Sequence, residues 1–435
     1  MAEPVAESES APEPGRELQP EHALSPATAM RFQVLVLNQI SAVGLKRFPA
    51  AQYHVGADID RPDAVLVRSV DLHARAIPAS VQAVARAGAG TNNVPVAALS
   101  ARGVPVFNAP GGNANAVKEL VLAAMLLTAR NLAPALRFVA RLHLGLNADA
   151  TPRAATAAAL DNAVENGKQA FAGFELAGRT LGVIGLGKVG CLVADAAIKL
   201  GMEVHGFDPH ITVDAAWSLP AQVKKAASVA EVLKHADFVS LHVPLVDATH
   251  DLIHAGNLGL LRASAVLLNF ARDGVVNEAA VLGALDARRL SWYACDFPSP
   301  ALIGHERVIA LPHLGASTAQ AKENCAVMVV DQLRDYLEHG NVSNAVNFPA
   351  LVMARESAFR VAIANANVPN MLGQISTAMA GAGLNVRTMV NKSRGDMAYT
   401  LVDVDSAVDA AVLDKIRAIA GVLSVRYLPD GEAAC

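Results

Sequence analysis

The run Thr180-Leu181-Gly182-Val183-Ile184-Gly185-Leu186-Gly187-Lys188-Val189-Gly190 decides how the rest of the chain is read. A short apolar stretch ends in glycines and opens onto Cys191 to Leu200, where apolar residues recur at helical spacing. That pattern reads as a strand, a tight turn and a helix. In this context Gly185 makes the turn, Gly187 lets a pyrophosphate touch bare backbone, and Gly190 packs helix against strand. The unpaired N–H groups of the helix start then face the phosphates. Glycines at this spacing also occur in turns without a ligand, so a second signal is needed. The apolar run Glu203 to Phe207 supplies it by ending at Asp208, a carboxylate about 20 residues on, where a ribose 2′-hydroxyl requires an acceptor. Asp208 favours NAD over NADP, because its charge repels a 2′-phosphate and no arginine directly follows it.

Composition sets the outer bounds. At 435 residues the chain has room for two or three domains. It is 53% hydrophobic and 17% charged, which reads as a soluble globular protein; the apolar excess is alanine and valine with no run long enough to cross a bilayer. A net charge of −4 gives no sign of a nucleic-acid partner. Cys191, Cys295, Cys325 and Cys435 lie far apart without a CxxC pair, which fits reduced thiols in a cytoplasmic protein better than disulfides or a metal site.

Outward from the glycine turn, residues 1–29 mix glutamates with proline, serine and alanine and read as a disordered tail, with the features of neither a signal peptide nor a transit peptide. Short strands at Phe32–Leu37, Ala64–Val67, Val81–Val84 and Val104–Phe107 alternate with helical segments, the mark of a parallel α/β sheet. These strands end in polar or glycine-rich loops at Arg68-Ser69, Arg86 to Asn93 and Asn108 to Asn113. Ligands of open α/β sheets bind at such carboxyl ends, although ordinary turn chemistry explains any one loop equally well. One long helix is expected from Ala116 to about Leu146, then irregular chain over 147–175. Further strands are expected at Asp237–Pro244, Ala265–Arg272, Ser291–Asp296 and Arg307–Leu311. A helix capped by Ser317 or Thr318 then runs to about His339. After a linker, the segments Ala358–Ile363, Met371–Ala382, Val386–Val390, Ala398–Val404, Asp409–Ala420 and Ser424–Leu428 follow the order strand, helix, strand, strand, helix, strand of a ferredoxin-like module.

A hydride acceptor held by the glycine turn needs a base for a hydroxyl proton and a cation for a carboxylate. His313 suits the first, since imidazole titrates near neutrality. Arg272 suits the second, through its planar fork. A structural histidine and a salt-bridged arginine are the bland alternatives.

Together, Arg86-Ala87-Gly88-Ala89-Gly90-Thr91-Asn92-Asn93, Gly185 to Gly190, Asn269-Phe270-Ala271-Arg272 and Pro312-His313-Leu314-Gly315-Ala316-Ser317-Thr318 resemble the D-isomer-specific 2-hydroxyacid dehydrogenases over residues 31–430. The resemblance implies two Rossmann-like domains, substrate-binding and NAD-binding, with the cofactor in the cleft between them, plus the C-terminal module. The implied boundaries are 30–130 for the first part of the substrate domain, 131–313 for the NAD domain, 314–345 for the return segment and 355–435 for the C-terminal module. It further implies that Arg272 and His313 are catalytic. NAD would meet Ala89, Gly185, Gly187, Lys188, Val189, Gly190, Asp208, Val243, Phe270, Ala271, Arg272, Asp296, His313, Leu314, Gly315 and Ala316, with Asp296 beside the nicotinamide carboxamide. Arg68, Ser69, Gly90 and Asn108 would line a pocket for 3-phosphoglycerate, whose phosphate needs one more cation that the sequence does not name. The C-terminal module resembles an ACT regulatory domain, with Asn365, Asn367 and Asn385 at its effector positions, L-serine as effector and a homodimer or homotetramer as the assembly.

One departure stands out. Family members carry a glutamate a few residues after the Asp296 position that keeps the histidine charged. Here Asp296-Phe297-Pro298-Ser299-Pro300-Ala301-Leu302-Ile303-Gly304-His305-Glu306 is shorter and lacks it, and Glu306 aligns elsewhere. The expectation is a weakened dyad with a lowered histidine pKa, or a substitute acid from another segment. Two other readings stay open: reduction of another 2-keto acid such as 2-oxoglutarate or hydroxypyruvate, and a non-catalytic NAD or amino-acid sensor.

Overall fold

The computed structural model describes residues 32–146 and 153–430. The 1–29 tail, residues 147–152 and Cys435 lie outside them. Three sheets organise the described chain. The first is β1 (Phe32–Leu37), β2 (Tyr53–Gly56), β3 (Ala64–Val67), β4 (Ala83–Arg86) and β5 (Val106–Phe107), all parallel in the order β2-β1-β3-β4-β5. The second is β6 (Thr180–Ile184), β7 (Glu203–Phe207), β8 (Lys224–Lys225), β9 (Phe238–Leu241), β10 (Val266–Asn269), β11 (Trp292–Cys295) and β12 (Val308–Ala310). Its order, β12-β11-β10-β9-β6-β7-β8, reverses beside β6, and a doubly wound sheet binds its ligand at that reversal. The third is antiparallel: β13 (Phe359–Ala366), β14 (Val386–Arg394), β15 (Met397–Val404) and β16 (Val422–Pro429), ordered β14-β15-β13-β16 as in a ferredoxin-like fold.

Alternation along the strands fills a core on each side of the parallel sheets. In the second sheet Leu181, Val183, Val266 and Leu268 enter one core, while Ile184, Val239 and Leu267 enter the other. The Ala114–Ala129 helix buries Val117, Val121, Ala124 and Met125 in the first of these, so the expected boundary at 130 falls after a helix that already packs on the second sheet.

Several local expectations need correction. The single helix from Ala116 to Leu146 is two, Ala114–Ala129 and Leu132–Leu146, broken where Asn131 takes φ +49°. The irregular stretch contains the helix Arg153–Gly167, whose alanine-rich sequence has no apolar stripe to reveal it. β2 and β8 were hidden by their brevity. Thr318 rather than Ser317 caps the next helix, accepting from the Ala321 N–H at 3.1 Å.

That helix, Ala319–His339, returns to the first sheet and presents Cys325, Val329, Leu333 and Tyr336 to its core. The same core takes in Ala362, Tyr399, Leu401 and Leu428 of the third sheet, so the C-terminal module shares its interior with the first domain. The helix ends at Gly340, φ +75°, and its last carbonyls are satisfied by side chains of the C-terminal module. Arg426 donates to Tyr336 O and Leu337 O, both at 3.0 Å, Arg360 to His339 O at 3.1 Å, and Tyr399 to Gly340 O at 2.7 Å. Arg360 is fully buried in a fork with fully buried Asp403 (2.7 and 2.9 Å) and also donates to Met353 O and Ala354 O. Among the described residues no single helix is long and apolar enough to cross a membrane.

Removing one member of a buried ion pair strands the other's charge. Arg360→Met is therefore expected to destabilise the protein by about 3–5 kcal/mol, read as a lowered midpoint of thermal unfolding. The double variant Arg360→Met/Asp403→Leu is expected to lose less than Arg360→Met alone.

Candidate functional site

The glycine turn has the geometry its sequence implies. Gly185 sits at φ +93°, and a Cβ there would lie 2.6 Å from His242 O and 3.0 Å from the Val243 side chain. Gly190 lies so close to the strand that a Cβ would meet Gly185 O at 2.0 Å. Gly187 differs: no atom lies within 4 Å of where its Cβ would be. It caps the Lys188–Lys199 helix without a side-chain partner, so N–H groups and open space together form a cradle that fits a pyrophosphate. Asp208, at the end of β7, accepts from Leu186 N–H at 2.8 Å and His210 N–H at 2.9 Å, which fixes its carboxylate beside the turn.

Loops of the first sheet close over this cradle. A methyl group on Gly111 would touch Lys188 Cγ at 3.1 Å, and one on Gly90 would approach Arg272 Nη2 to 3.0 Å. Asn108 donates to Ala89 O at 2.6 Å, and Asn93 donates to Val70 O at 2.7 Å and to Arg68 O at 3.4 Å. Ser69 N–H reaches Asn38 Oδ1 at 3.4 Å. Arg68, Ser69, Ala89, Gly90 and Asn108 thus belong to one loop cluster facing the carboxyl end of β10. There Asn269 shapes the turn, accepting from Ala271 N–H at 3.2 Å and donating to Arg272 O at 2.9 Å, with Phe270 and Ala271 buried beneath.

Arg86 is the residue that the sequence left unnamed. It ends β4, and partial burial pushes its guanidinium below its usual pKa; the Cys325 thiol opposes this, whereas the nearby guanidiniums of Arg272 and Arg68 push further in the same direction. Its buried Nε has no hydrogen-bond partner. Burial likewise pushes Arg272 down. Among the described residues none of these three arginines forms an ion pair, so the cleft holds concentrated positive charge without a protein counter-ion. The signal was present in the sequence, since β3, β4 and β10 all end at or just before an arginine, but only the strand order shows that these ends converge.

His313 lies on the loop after β12, exposed, in an edge contact with the Phe297 ring at 5.4 Å between centroids and 63° between planes. Among the described residues no carboxylate forms an ion pair or hydrogen bond with its side chain, and the substitute acid does not materialise. Glu306 instead lies near Arg307 at 3.9 Å, 75% exposed. Asp296 is buried, and its two oxygens accept from Leu314 N–H and Gly315 N–H, each at 2.7 Å.

The three effector asparagines do not converge within one chain. Asn365 is buried on β13 opposite Ala398, with its Oδ1 unpartnered, and Asn367 donates to Gly395 O at 3.0 Å on the neighbouring hairpin. Asn385 precedes Val386, which pairs with Val404 at the far end of the eight-residue strand β15.

Because Gly187 has extended backbone that any residue adopts, Gly187→Val is expected to fold normally while filling the cradle. A fluorescence titration with NADH should show the dissociation constant rise at least about tenfold, equivalent to about 1.4 kcal/mol.

Comparison with known proteins agrees with this geometry. The model of the D-isomer specific 2-hydroxyacid dehydrogenase, NAD binding domain, matches residues 149–315. The D-3-phosphoglycerate dehydrogenase of Haemophilus influenzae is 33% identical over 351 residues, an alignment covering 78% of this chain and 79% of that one. Among solved structures, the NAD+-bound 3-phosphoglycerate dehydrogenase of Entamoeba histolytica superposes with a TM-score of 0.55 at 22% identity, covering 74% of this chain and 100% of that one. The NADPH-dependent glyoxylate/hydroxypyruvate reductase of Sinorhizobium meliloti gives 0.58 at 21% identity, covering 73% and 98%. The fold, the dinucleotide cradle and this kinship agree: the chain belongs to the D-isomer-specific 2-hydroxyacid dehydrogenases and is an NAD-dependent dehydrogenase of that family.

Proposed function

We propose that this enzyme oxidises D-3-phosphoglycerate to 3-phosphohydroxypyruvate, the entry step of L-serine biosynthesis. The observation that carries the reading is the cluster of Arg68, Arg86 and Arg272, unpaired by any acid among the described residues. A substrate with a carboxylate at one end and a phosphate at the other neutralises such a cluster, whereas an unphosphorylated 2-keto acid leaves part of it bare. Arg272 binds the carboxylate and polarises the forming carbonyl, Arg68 and Arg86 hold the phosphate, and Gly90 and Asn108 shape the wall. His313 takes the hydroxyl proton. When bound, NAD would supply the acceptor for the hydride, and the cradle at Gly187 and the carboxylate of Asp208 would hold it.

Purified full-length protein, followed by NADH absorbance, tests this. The kcat/KM for 3-phosphoglycerate should exceed that for D-glycerate by about 100-fold, roughly 2.7 kcal/mol of phosphate recognition. Arg86→Met should erase most of that advantage while leaving D-glycerate turnover nearly unchanged. Equal turnover of both acids, or faster reduction of 2-oxoglutarate than of 3-phosphohydroxypyruvate, would discard the assignment.

The C-terminal module is proposed to bind L-serine between two chains. Asn365 and Asn367 lie at one end of the third sheet and Asn385 at the other, so one small ligand meets all three only where two modules lie side by side. Self-association is also favoured by the exposed stripe Leu132, Leu136 and Val139 on the Leu132–Leu146 helix. Added L-serine should lower the rate, and Asn367→Ala should weaken that effect at least about tenfold. A rate and substrate affinity that ignore serine would assign the module a structural role only.

A further inference from the structure

Among the described residues the His313 imidazole, the proposed proton acceptor, has no carboxylate partner, yet proton transfer requires it to be aimed, and the aim is set from the backbone side. His313 has φ +55°, a left-handed conformation that a non-glycine residue keeps only where its surroundings impose it. Three contacts impose it here. The His313 N–H donates to Leu311 O at 3.0 Å, closing a tight turn before the histidine. The next two N–H groups, of Leu314 and Gly315, donate to the two oxygens of Asp296 at 2.7 Å each. Asp296 is itself held in place: it is 2% exposed, and its own N–H donates to Asn269 O at 3.2 Å on the strand that carries the Arg272 loop. Among the described residues it has no cationic partner, so the two N–H groups are what satisfy its charge. The fit is close, since a Cβ on Gly315 would lie 3.1 Å from Asp296 Oδ2.

We propose that Asp296 is a positioning residue for proton transfer: its buried carboxylate holds the 313–315 turn, left-handed at His313, that aims the His313 ring, in place of an acid touching that ring. Phe297, the next residue, completes the arrangement by placing its ring edge against the imidazole. Asp296 and Phe297 thus fix His313 from two sides, one through the main chain and one through the ring. Each Asp296 oxygen keeps a second lone pair, so this role is compatible with a contact to the dinucleotide, and the experiment separates the two.

The inference rests on His313 being the proton acceptor of the proposed reaction. In Asp296→Asn one acceptor becomes an NH2 that faces an N–H. The expected result is a fall in kcat of about 100-fold, the scale of an ångström-sized misplacement. NADH affinity by fluorescence titration should stay within about twofold, because the residue acts through His313. In a His313→Ala background the same substitution should change the residual rate by less than about twofold. Gly315→Ala, which keeps the carboxylate but crowds the turn, should reproduce the kcat loss and serves if Asp296→Asn does not fold. As a readout independent of turnover, histidine-labelled protein should give one sharp His313 imidazole signal, identified by its absence in His313→Ala, which broadens or splits in Asp296→Asn and in Gly315→Ala. An unchanged His313 signal, a loss confined to NADH affinity, or full multiplication of the two effects in the double variant would overturn the proposal. Should the wild type turn over no hydroxy acid, the functional reading fails while the imidazole signal still decides whether Asp296 holds the turn.

Discussion

Guanidinium groups repel one another, and a fold that gathers three of them without a carboxylate must hold them there by other means. Here the means are the ends of parallel strands. β3, β4 and β10 point their carboxyl ends at one gap, so Arg68, Arg86 and Arg272 are delivered to it by backbone that two hydrophobic sheets have already fixed. The cost of leaving these charges unpaired is a store of binding energy for an anion. The reversal of strand order beside β6 lies at the dinucleotide cradle, and the Gly111 loop of the first sheet approaches Lys188 at its edge. The concentration of charge and the cofactor cradle are therefore consequences of strand direction more than of any single contact.

Much of this was legible in the residues. The turn at Gly185 to Gly190, the acceptor Asp208 and the pair Arg272 and His313 each carry a chemical demand that few residue types meet; the structure places Asp208 beside the turn and Arg272 against Gly90. What stayed hidden had a physical reason. Arg86 was legible as the start of a candidate ligand loop but not as a cation of the site; that meaning comes from Arg68 and Arg272, distant in sequence. The Arg153–Gly167 helix has no amphipathic stripe, and the break at Asn131 depends on one left-handed residue that no glycine announces. The asparagines of the C-terminal module fall in two short segments, and only the strand register shows that Asn385 lies at the far end of β15 from Asn365.

The missing glutamate shows how a site adapts around an absent group. An imidazole normally receives both charge stabilisation and orientation from a carboxylate. In this chain the two functions come apart. No described acid touches the ring, while a buried carboxylate hydrogen-bonded to the next two main-chain N–H groups shapes the loop that carries it. Proton affinity and geometry, commonly bound together in one residue, are then open to separate adjustment.

The end of the Ala319–His339 helix has a consequence for movement. Its terminal carbonyls are gripped by Arg426, Arg360 and Tyr399, its flank shares one apolar interior with the first sheet, and its other end begins six residues after His313. One run of helical backbone thus ties the third sheet to the first and ends beside the loop that carries the imidazole. A change in how the C-terminal module grips Gly340 and the turn before it has a short, continuous path to that loop.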